Sequence, residues 1–208
     1  MNNKEKWNKL FSAPEYVYGT DPIDLLKNYW HRLRPGKVLD LAMGEGRNAV
    51  FLAEKGFEVT GFDISDIAVD KAKKLAYDRG VKLETKVTDL DMHVFPMFSF
   101  DNILISYFKP ITRYYSEIHR TLVPGGILLV EAGLEGQHYY NPNELLRHLK
   151  DFRILFYNED MKNNEAMVQC IAQKPTDRDA VKYGFFKGAD NEVDKGKFKV
   201  AENLFKKK

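Results

Sequence analysis

The residues with the clearest capacity for chemistry are two glycines and one acid that follow two short apolar runs. Gly44 and Gly46 lie in the turn that follows the run 38–41, and Asp63 comes directly after the run 57–62. Backbone N–H groups exposed at a glycine turn that opens a helix bind polar or anionic atoms. An acid at the end of the following strand accepts hydrogen bonds from two ribose hydroxyls. This order of residues predicts a site for a nucleoside-bearing cofactor.

The elements that must position these residues alternate between strand and helix. After the glycine turn, Ala49, Phe51 and Leu52 recur at helical spacing, which predicts a helix over 47–55. Such alternation predicts an α/β fold, a parallel sheet with helices on both faces. The polar stretch 158–165 leaves no room for a last helix, so the final strands should pair as a hairpin, the last one antiparallel. The expected strands lie at 38–41, 57–62, 83–87, 100–105, 127–131, 152–156 and 166–172.

The helix boundaries follow from residue types that favour helix ends. Asp21 and Pro22 suit the N-cap and the first helical position, which predicts a helix from there to about Leu33. Ser65 is expected to cap another helix that ends near Arg79. The remaining helices are expected at 4–11, 111–122 and directly after 141–143.

Composition argues against several classes of partner. The 32 basic and 30 acidic residues nearly balance, so the formal charge of +2 gives no reason to expect a nucleic-acid ligand. The single cysteine, Cys170, excludes an internal disulfide and is typical of a reducing cytoplasm. The stretch 1–11 lacks the apolar core of a signal peptide, and no apolar run approaches the roughly 20 residues of a membrane helix. The histidines show no metal-ligand spacing.

These features predict a soluble cytoplasmic protein, a monomer or homodimer, with neither a membrane nor a metal as partner. The expected main domain is 1–174, in which 1–36 form an N-terminal helical cap segment. The lysine-rich stretch 175–208 is expected to be a weakly ordered appendage. A solvated tail is the first interpretation of it, and an RNA-binding or lid role is the alternative.

Four stretches, taken in their order along the chain, resemble one family. Together they are similar to the class I S-adenosylmethionine (SAM)-dependent methyltransferases, within the small tellurite-resistance-type group related to thiopurine methyltransferases. The resemblance covers most of 7–174. The stretches are YVYGTDP (16–22, preceded by Trp7), VLDLAMGEGRNAVFLAEKGFEVTGFDIS (38–65), FDNILIS (100–106) and LVPGGILLVEA (122–132).

The resemblance implies a cofactor, a fold and an activity. The fold is a Rossmann-like seven-stranded sheet of order 3-2-1-4-5-7-6 with the last strand antiparallel. The cofactor is SAM, and the activity is transfer of its methyl group to a small-molecule acceptor, such as a thiol or a chalcogen oxyanion. An acceptor that is already anionic at pH 7 needs no general base, and no confident catalytic base stands out in the sequence.

The resemblance also implies which residues hold the adenosine part of SAM. Asp63 binds the ribose hydroxyls and Ile64 packs on the adenine. Asp89 accepts a hydrogen bond from the adenine amine, with Leu90 beside it. The structural alternatives are a cap for the next helix at Asp63 and a turn-forming role at Asp89.

The methionine end of SAM is implied to lie on the other side of the turn. Gly44 and Gly46 let the backbone approach it, and Asp40 lies near its amino group, with simple turn stabilisation as the alternative for that acid. Ser106 and Tyr107, after the fourth expected strand, border the transferable methyl.

Four further residues are expected at the opening of the site. Tyr18 resembles the aromatic that closes over cofactor and substrate, although packing on the first helix would also account for it. Arg47 and Asn48 begin the helix beside the site, and arginine suits carboxylates and other anions. His138, which follows the fifth strand, is a weak candidate for a base.

One position departs from the family pattern. The family usually reads Gly-Cys-Gly-x-Gly where this chain has Ala42-Met43-Gly44-Glu45-Gly46. If Ala42 needs a positive φ, the alanine is destabilising by about 1 kcal/mol. If the usual glycine gives only clearance, the extra methyl lies beside the methionine part of SAM.

Two other functions remain open from the sequence. A non-catalytic SAM-binding protein is motivated by Ala42 and the unusual tail. An NAD-dependent oxidoreductase would share the ribose-binding acid, but its G-x-G-x-x-G fingerprint is broken by Ala42 and Arg47.

Overall fold

The structure is a computed structural model that describes residues 2–134, 139–162, 165–176, 178, 179 and 182. The chain divides into two units, 1–176 and 177–208, and all the elements given below belong to the first. The boundary expected at 174/175 stays a prediction, and most of the lysine-rich stretch lies outside the described residues.

A mixed sheet forms the centre of the first unit. Its order is β3-β2-β1-β4-β5-β7-β6. The five strands β1 to β5 are parallel to one another, whereas β7 is antiparallel to both β5 and β6. The predicted order and the antiparallel last strand are confirmed. The strands are β1 (Lys37–Leu41), β2 (Glu58–Asp63), β3 (Glu84–Val87), β4 (Phe100–Ser106), β5 (Leu122–Gly133), β6 (Arg153–Lys162) and β7 (Glu165–Gln173).

Helices cover both faces of this sheet. Ser65 accepts a hydrogen bond from the backbone N–H of Ala68, so the predicted cap is confirmed. Two short 3-10 helices, Trp30–Arg32 and Leu90–Met92, complete the pattern in the described residues. The α-helices are α1 (Asn3–Phe11), α2 (Asp24–Tyr29), α3 (Arg47–Glu54), α4 (Asp66–Asp78), α5 (Tyr114–Thr121) and α6 (Glu144–His148).

The predicted start of α2 is wrong. Its N-cap residue is Ile23, which makes no side-chain cap bond, and neither Asp21 nor Pro22 lies in the helix. The backbone N–H of Ile23 donates instead to Asn48 Oδ1 at 2.9 Å. A contact with the start of α3 therefore sets where α2 begins, and this contact overrides the local capping preference.

Two other boundaries also differ from the prediction. Helix α5 begins at Tyr114 rather than at 111, because the residues before it form a turn closed by the bond from Tyr114 N–H to the Ile111 carbonyl. The polar residues 158–162 belong to β6 rather than to the connection between the last two strands, since β6 and β7 stay paired as far as Lys162 and Glu165. Antiparallel pairing satisfies the backbone of this stretch whatever the polarity of its side chains.

The core lies on both faces of the sheet. Because strand residues alternate in direction, Leu39 and Leu41 pack in one buried cluster with residues of α5, while Val38 packs in a second with residues of α2 and α3. Cys170 is buried in the first cluster, as predicted. With both faces covered, the open ends of the strands are where polar chemistry can be placed.

Across the residues that the structure describes, no helix combines the length and the apolar character needed to cross a bilayer.

Candidate cofactor cleft and acceptor cavity

A cleft lies beyond the carboxyl ends of β1, β2 and β4, and it brings most of the predicted site residues together. Asp40 and Gly46 are not among its lining residues. His138 lies outside the described residues. The predicted residues that line the cleft are Tyr18, Ala42, Gly44, Arg47, Asn48, Asp63, Ile64, Asp89, Leu90, Ser106 and Tyr107.

The turn after β1 is built on positive φ angles. Ala42 has φ 55°, Gly44 has 57° and Gly46 has 85°. Ala42 therefore occupies a left-handed conformation in which its side chain is destabilising by about 1 kcal/mol. Of the two consequences considered for an alanine at this position, backbone strain is the one that the positive φ supports.

The two glycines of the turn have different roles. A Cβ at Gly46 would lie 2.7 Å from Cβ of Ala72 on α4, so this glycine allows α4 to pack closely against the turn. A Cβ at Gly44 would meet only the Phe11 ring, whose Cζ would lie 3.6 Å away. Gly44 is thus the glycine that faces the space where a cofactor would lie.

Asp63 connects the turn to the edge of the sheet. Its Oδ2 accepts a hydrogen bond from the Gly44 N–H at 2.9 Å, and its Oδ1 accepts one from the Ser65 N–H at 2.8 Å. Burial raises the pKa of Asp63, although these backbone donors act in the opposite direction. Since each carboxylate oxygen can accept a second bond, both oxygens can still receive ribose hydroxyls in the cleft.

Asp40 lies beneath the cleft as a buried acid with no partner. In the described residues neither of its carboxyl oxygens receives a hydrogen bond, and the residue is 0% exposed. Burial, reinforced by the Asp63 carboxylate, raises the pKa of Asp40 to about 8. An orphaned buried acid fits a site for the ammonium group of an amino-acid cofactor, reached through water because Asp40 does not line the cleft.

The pH dependence of stability tests whether Asp40 is protonated in the folded protein. An unfolded aspartic acid has a pKa of about 3.9, so between about pH 4 and pH 8 the folded state keeps a proton that the unfolded state has released. The free energy of unfolding should therefore fall as pH rises through this window, by at most about 1.4 kcal/mol per pH unit from this group. We expect Asp40→Asn to remove that part of the slope in urea titrations. Equal slopes in the two proteins would contradict the raised pKa.

Ile64 and Leu90, the residues expected beside the adenine, both line the cleft. Asp89 lines it too, and its Oδ1 also accepts a hydrogen bond from the backbone N–H of Asp91 at 3.0 Å. The turn-forming role foreseen as an alternative for Asp89 is therefore present, and its remaining acceptor capacity is open to a ligand in the cleft.

Helix α1 covers the cleft with aromatic rings that the sequence analysis did not assign to the site. Trp7 and Phe11 line the cleft and stack on each other with ring centroids 5.9 Å apart. Asn8 ties α1 to the start of α4 by accepting a bond from Ser65 Oγ at 2.6 Å and donating one to Asp66 Oδ1 at 2.9 Å. The sequence predicted a helix at 4–11 but not what it packs against.

Arg47 and two tyrosines close one end of the cleft. The Arg47 guanidinium lies 5.8 Å from the ring centroids of both Tyr18 and Tyr107. Its Nη1 donates to the Tyr18 carbonyl at 2.9 Å. Asn48, on the same helix, donates to Ser106 Oγ at 2.9 Å and so links α3 to the end of β4. These residues were predicted from the sequence to lie at the site, but the contacts between them were not.

A second cavity lies beyond that end. It shares Tyr18, Gly19, Arg47 and Tyr107 with the cleft. Glu131 of β5, Met167 of β7, Asp21 and Asp24 also line it. None of these four was predicted as a site residue. No group of histidine, cysteine and acid side chains that could hold a metal ion occurs in the described part of the chain.

Solved structures show which class of protein has this fold. The N-methyltransferase NodS from Bradyrhizobium japonicum, solved with S-adenosyl-L-homocysteine, superposes with a TM-score of 0.70 at 14% identity, over 84% of this chain and 100% of that one. TehB from Haemophilus influenzae superposes with a TM-score of 0.60 at 18% identity, over 82% of this chain and 66% of that one. The fold is that of the class I methyltransferases.

Sequence comparison gives a matching family. Residues 38–126, somewhat less than half of the chain, match the family described as a methyltransferase domain, in agreement with the resemblance.

Two curated relatives agree with that assignment. The demethylmenaquinone methyltransferase of Thermus thermophilus is 33% identical over 102 residues, 46% of each chain. The probable SAM-dependent methyltransferase TehB of Haemophilus influenzae is 26% identical over 151 residues, 62% of this chain and 50% of the relative. The chain therefore spans about half the length of the curated relatives that it matches.

Proposed function

We propose that the protein transfers a methyl group from SAM to a small-molecule acceptor. The observation that supports this most is the pair of adjoining cavities that share Tyr18, Arg47 and Tyr107 as a common wall. One cavity has the acid and the glycine turn suited to a nucleoside, and the other can admit a second small molecule beside it.

The residues of the cleft fit SAM in both of its halves. Asp63 would hold the ribose, and Ile64 and Leu90 would border the adenine. Gly44 leaves room for the methionine part, and the free N–H groups of Arg47 suit its carboxylate. When bound, SAM supplies a methyl group that is already activated on a sulfonium.

The chain's own contribution is mainly placement and exclusion of water. Trp7, Phe11 and Tyr18 cover the cleft, and the Asn48–Ser106 hydrogen bond fixes the end of β4 beneath the shared wall. Holding two reactants in line in this way supplies several kcal/mol of the barrier reduction. The proposed acceptor is a small nucleophile. The thiol or chalcogen oxyanion implied by the family resemblance, the cytoplasmic location and the oligomeric state all stay predictions.

The two alternative functions make different demands on the same cleft. In an NAD-dependent oxidoreductase the position of Arg47 would be a glycine at the phosphate turn, whereas here its guanidinium lies between two tyrosine rings. A non-catalytic SAM-binding protein needs no second cavity. The second cavity beyond Arg47, which is lined by acids, therefore favours an enzyme.

Titration calorimetry tests the proposal. We expect SAM and S-adenosylhomocysteine to bind with micromolar or lower Kd, and a panel of thiols, chalcogen oxyanions and small amines to include a methylated product by mass spectrometry. NADH, followed by its fluorescence, should not compete. Failure of SAM to bind would refute the proposal, and tight SAM binding with no methylated product from the panel would favour the non-catalytic alternative.

A further inference from the structure

Glu131 is a buried acid that the cofactor cleft does not use. It lies in β5 opposite Ser106 of β4 and Gln169 of β7, and its side chain lines the second cavity. Only 1% of the residue is exposed. A carboxylate at such a position is expensive to bury unless its oxygens are paired or await a ligand.

The two oxygens of Glu131 differ in their partners. Oε2 accepts hydrogen bonds from Gln169 Nε2 at 2.6 Å and from the Leu25 N–H at 3.3 Å. Oε1 receives no hydrogen bond from any residue in the described part of the chain, and it is not among the fully enclosed polar atoms. The carboxylate is thus anchored by one oxygen and presents the other to the cavity.

The charge around that oxygen selects the kind of molecule that can enter. Asp21 and Asp24 line the same cavity, and the one cation among the lining residues is Arg47. Its guanidinium already bonds the Tyr18 carbonyl and lies beside two tyrosine rings. A selenite or tellurite ion would have to approach three carboxylates, and like charges at close range are strongly unfavourable.

The apolar residues that line the second cavity also favour a cationic organic molecule over an anion. Tyr18, Tyr107 and Met167 border the cavity. Aromatic faces and a thioether suit an organic cation with an apolar body, so the wall combines apolar contact with acids that can bind N–H groups.

We infer, on the basis of the methyl-transfer function proposed above, that the acceptor is a small organic amine whose N–H group is bound by Glu131 Oε1. Glu131 also takes the proton that an ammonium must lose before its nitrogen lone pair can react. The N–C bond then forms as the C–S bond to the methyl breaks, the electron pair of that bond goes to sulfur, and S-adenosylhomocysteine leaves. The proton passes from Glu131 to solvent.

Binding to the protein saturated with S-adenosylhomocysteine tests this without turnover. The probes are benzylamine, benzyl mercaptan and benzoate, which share one ring and differ in the reacting group, together with selenite. We expect benzylamine to bind at least 10-fold more tightly than the other three, by calorimetry or ligand-observed NMR. Glu131→Gln should weaken benzylamine binding by about 10- to 100-fold, the range for a hydrogen bond to a charged group, and should leave the Kd for S-adenosylhomocysteine within 2-fold.

Gln169→Leu is the matched control. It removes the donor to Oε2 but keeps the carboxylate, so it should lower the melting temperature and keep the preference for benzylamine. If Glu131 has only a structural role, both variants will lose stability and neither will change the order of the probes, which would overturn the inference. Tighter binding of benzoate, selenite or the mercaptan would overturn it too. In either case intact cofactor binding would leave the proposed methyl transfer standing, whereas loss of cofactor binding in the wild-type protein would refute that function itself.

Discussion

Asp63→Ala is expected to lower the affinity for SAM by at least about 100-fold. The substitution removes both carboxylate oxygens that are proposed to accept hydrogen bonds from the ribose, and hydrogen bonds to a charged group contribute about 1.5–3 kcal/mol each. It also leaves the N–H groups of Gly44 and Ser65 without their acceptor, so the turn loses its fixed geometry. Calorimetry with SAM and S-adenosylhomocysteine measures the effect.

Two comparisons separate lost binding from lost folding. Asp70→Ala, on the exposed face of α4, removes an acid of the same type that does not line the cleft and should change the SAM affinity by less than about 3-fold. Wild-type protein should bind adenosine more tightly than adenine, because only adenosine carries the ribose, and Asp63→Ala should abolish that difference. A variant that stays folded and still prefers adenosine would show that Asp63 does not bind the ribose.

The parts of this site that the sequence could predict are those set by neighbours along the chain. The turn at Ala42–Gly46 and the acid at Asp63 belong to one strand–turn–helix–strand unit. The residue types in this unit are therefore enough to predict its local backbone structure. The positive φ at Ala42 is an example, since the position could be recognised from the family pattern although an alanine occupies it. The alternation of elements predicted a parallel sheet covered on both faces, whereas the strand order that the structure has was implied by the family resemblance.

What could not be predicted depends on contacts between distant parts of the chain. Glu131 is anchored by the Leu25 backbone, 106 positions away, and nothing local to β5 distinguishes it from a surface acid. The start of α2 was misplaced for the same reason, because Asn48 rather than Asp21 provides the contact that sets it. A capping preference is worth about 1 kcal/mol, which a buried tertiary contact readily exceeds.

The covering of the cleft depends on a second distant contact, the ion pair between Lys71 of α4 and Glu45 of the glycine turn. Lys71 Nζ lies 2.8 Å from Glu45 Oε1 and also donates to the carbonyls of Ala13 and Glu15, at 2.6 and 2.7 Å. All three ammonium donors are therefore used. The Glu45 side chain is only 3% exposed, so the pair holds the segment that leads to Tyr18 against the body of the protein.

Lys71→Met should accordingly destabilise the protein by about 3 kcal/mol, because it leaves the Glu45 carboxylate buried without its charge partner. The loss should be measured by urea unfolding, and SAM affinity should fall with it, because Phe11 and Tyr18 flank the released segment. Lys73→Met is the control on the same helix: its pair with Asp70 is exposed on both sides, so it should change stability by less than about 0.5 kcal/mol.

The double variant Glu45→Gln/Lys71→Met distinguishes the buried charge from the lost anchor. Removing both charges should restore much of the stability lost in Lys71→Met, since no carboxylate is then left unpaired. It should not restore SAM affinity, because the Ala13 and Glu15 carbonyls still lack their donor. If stability and affinity recover together, the ion pair acts only on folding, and other contacts, such as the hydrogen bond from Arg47 to the Tyr18 carbonyl, hold the segment over the cleft.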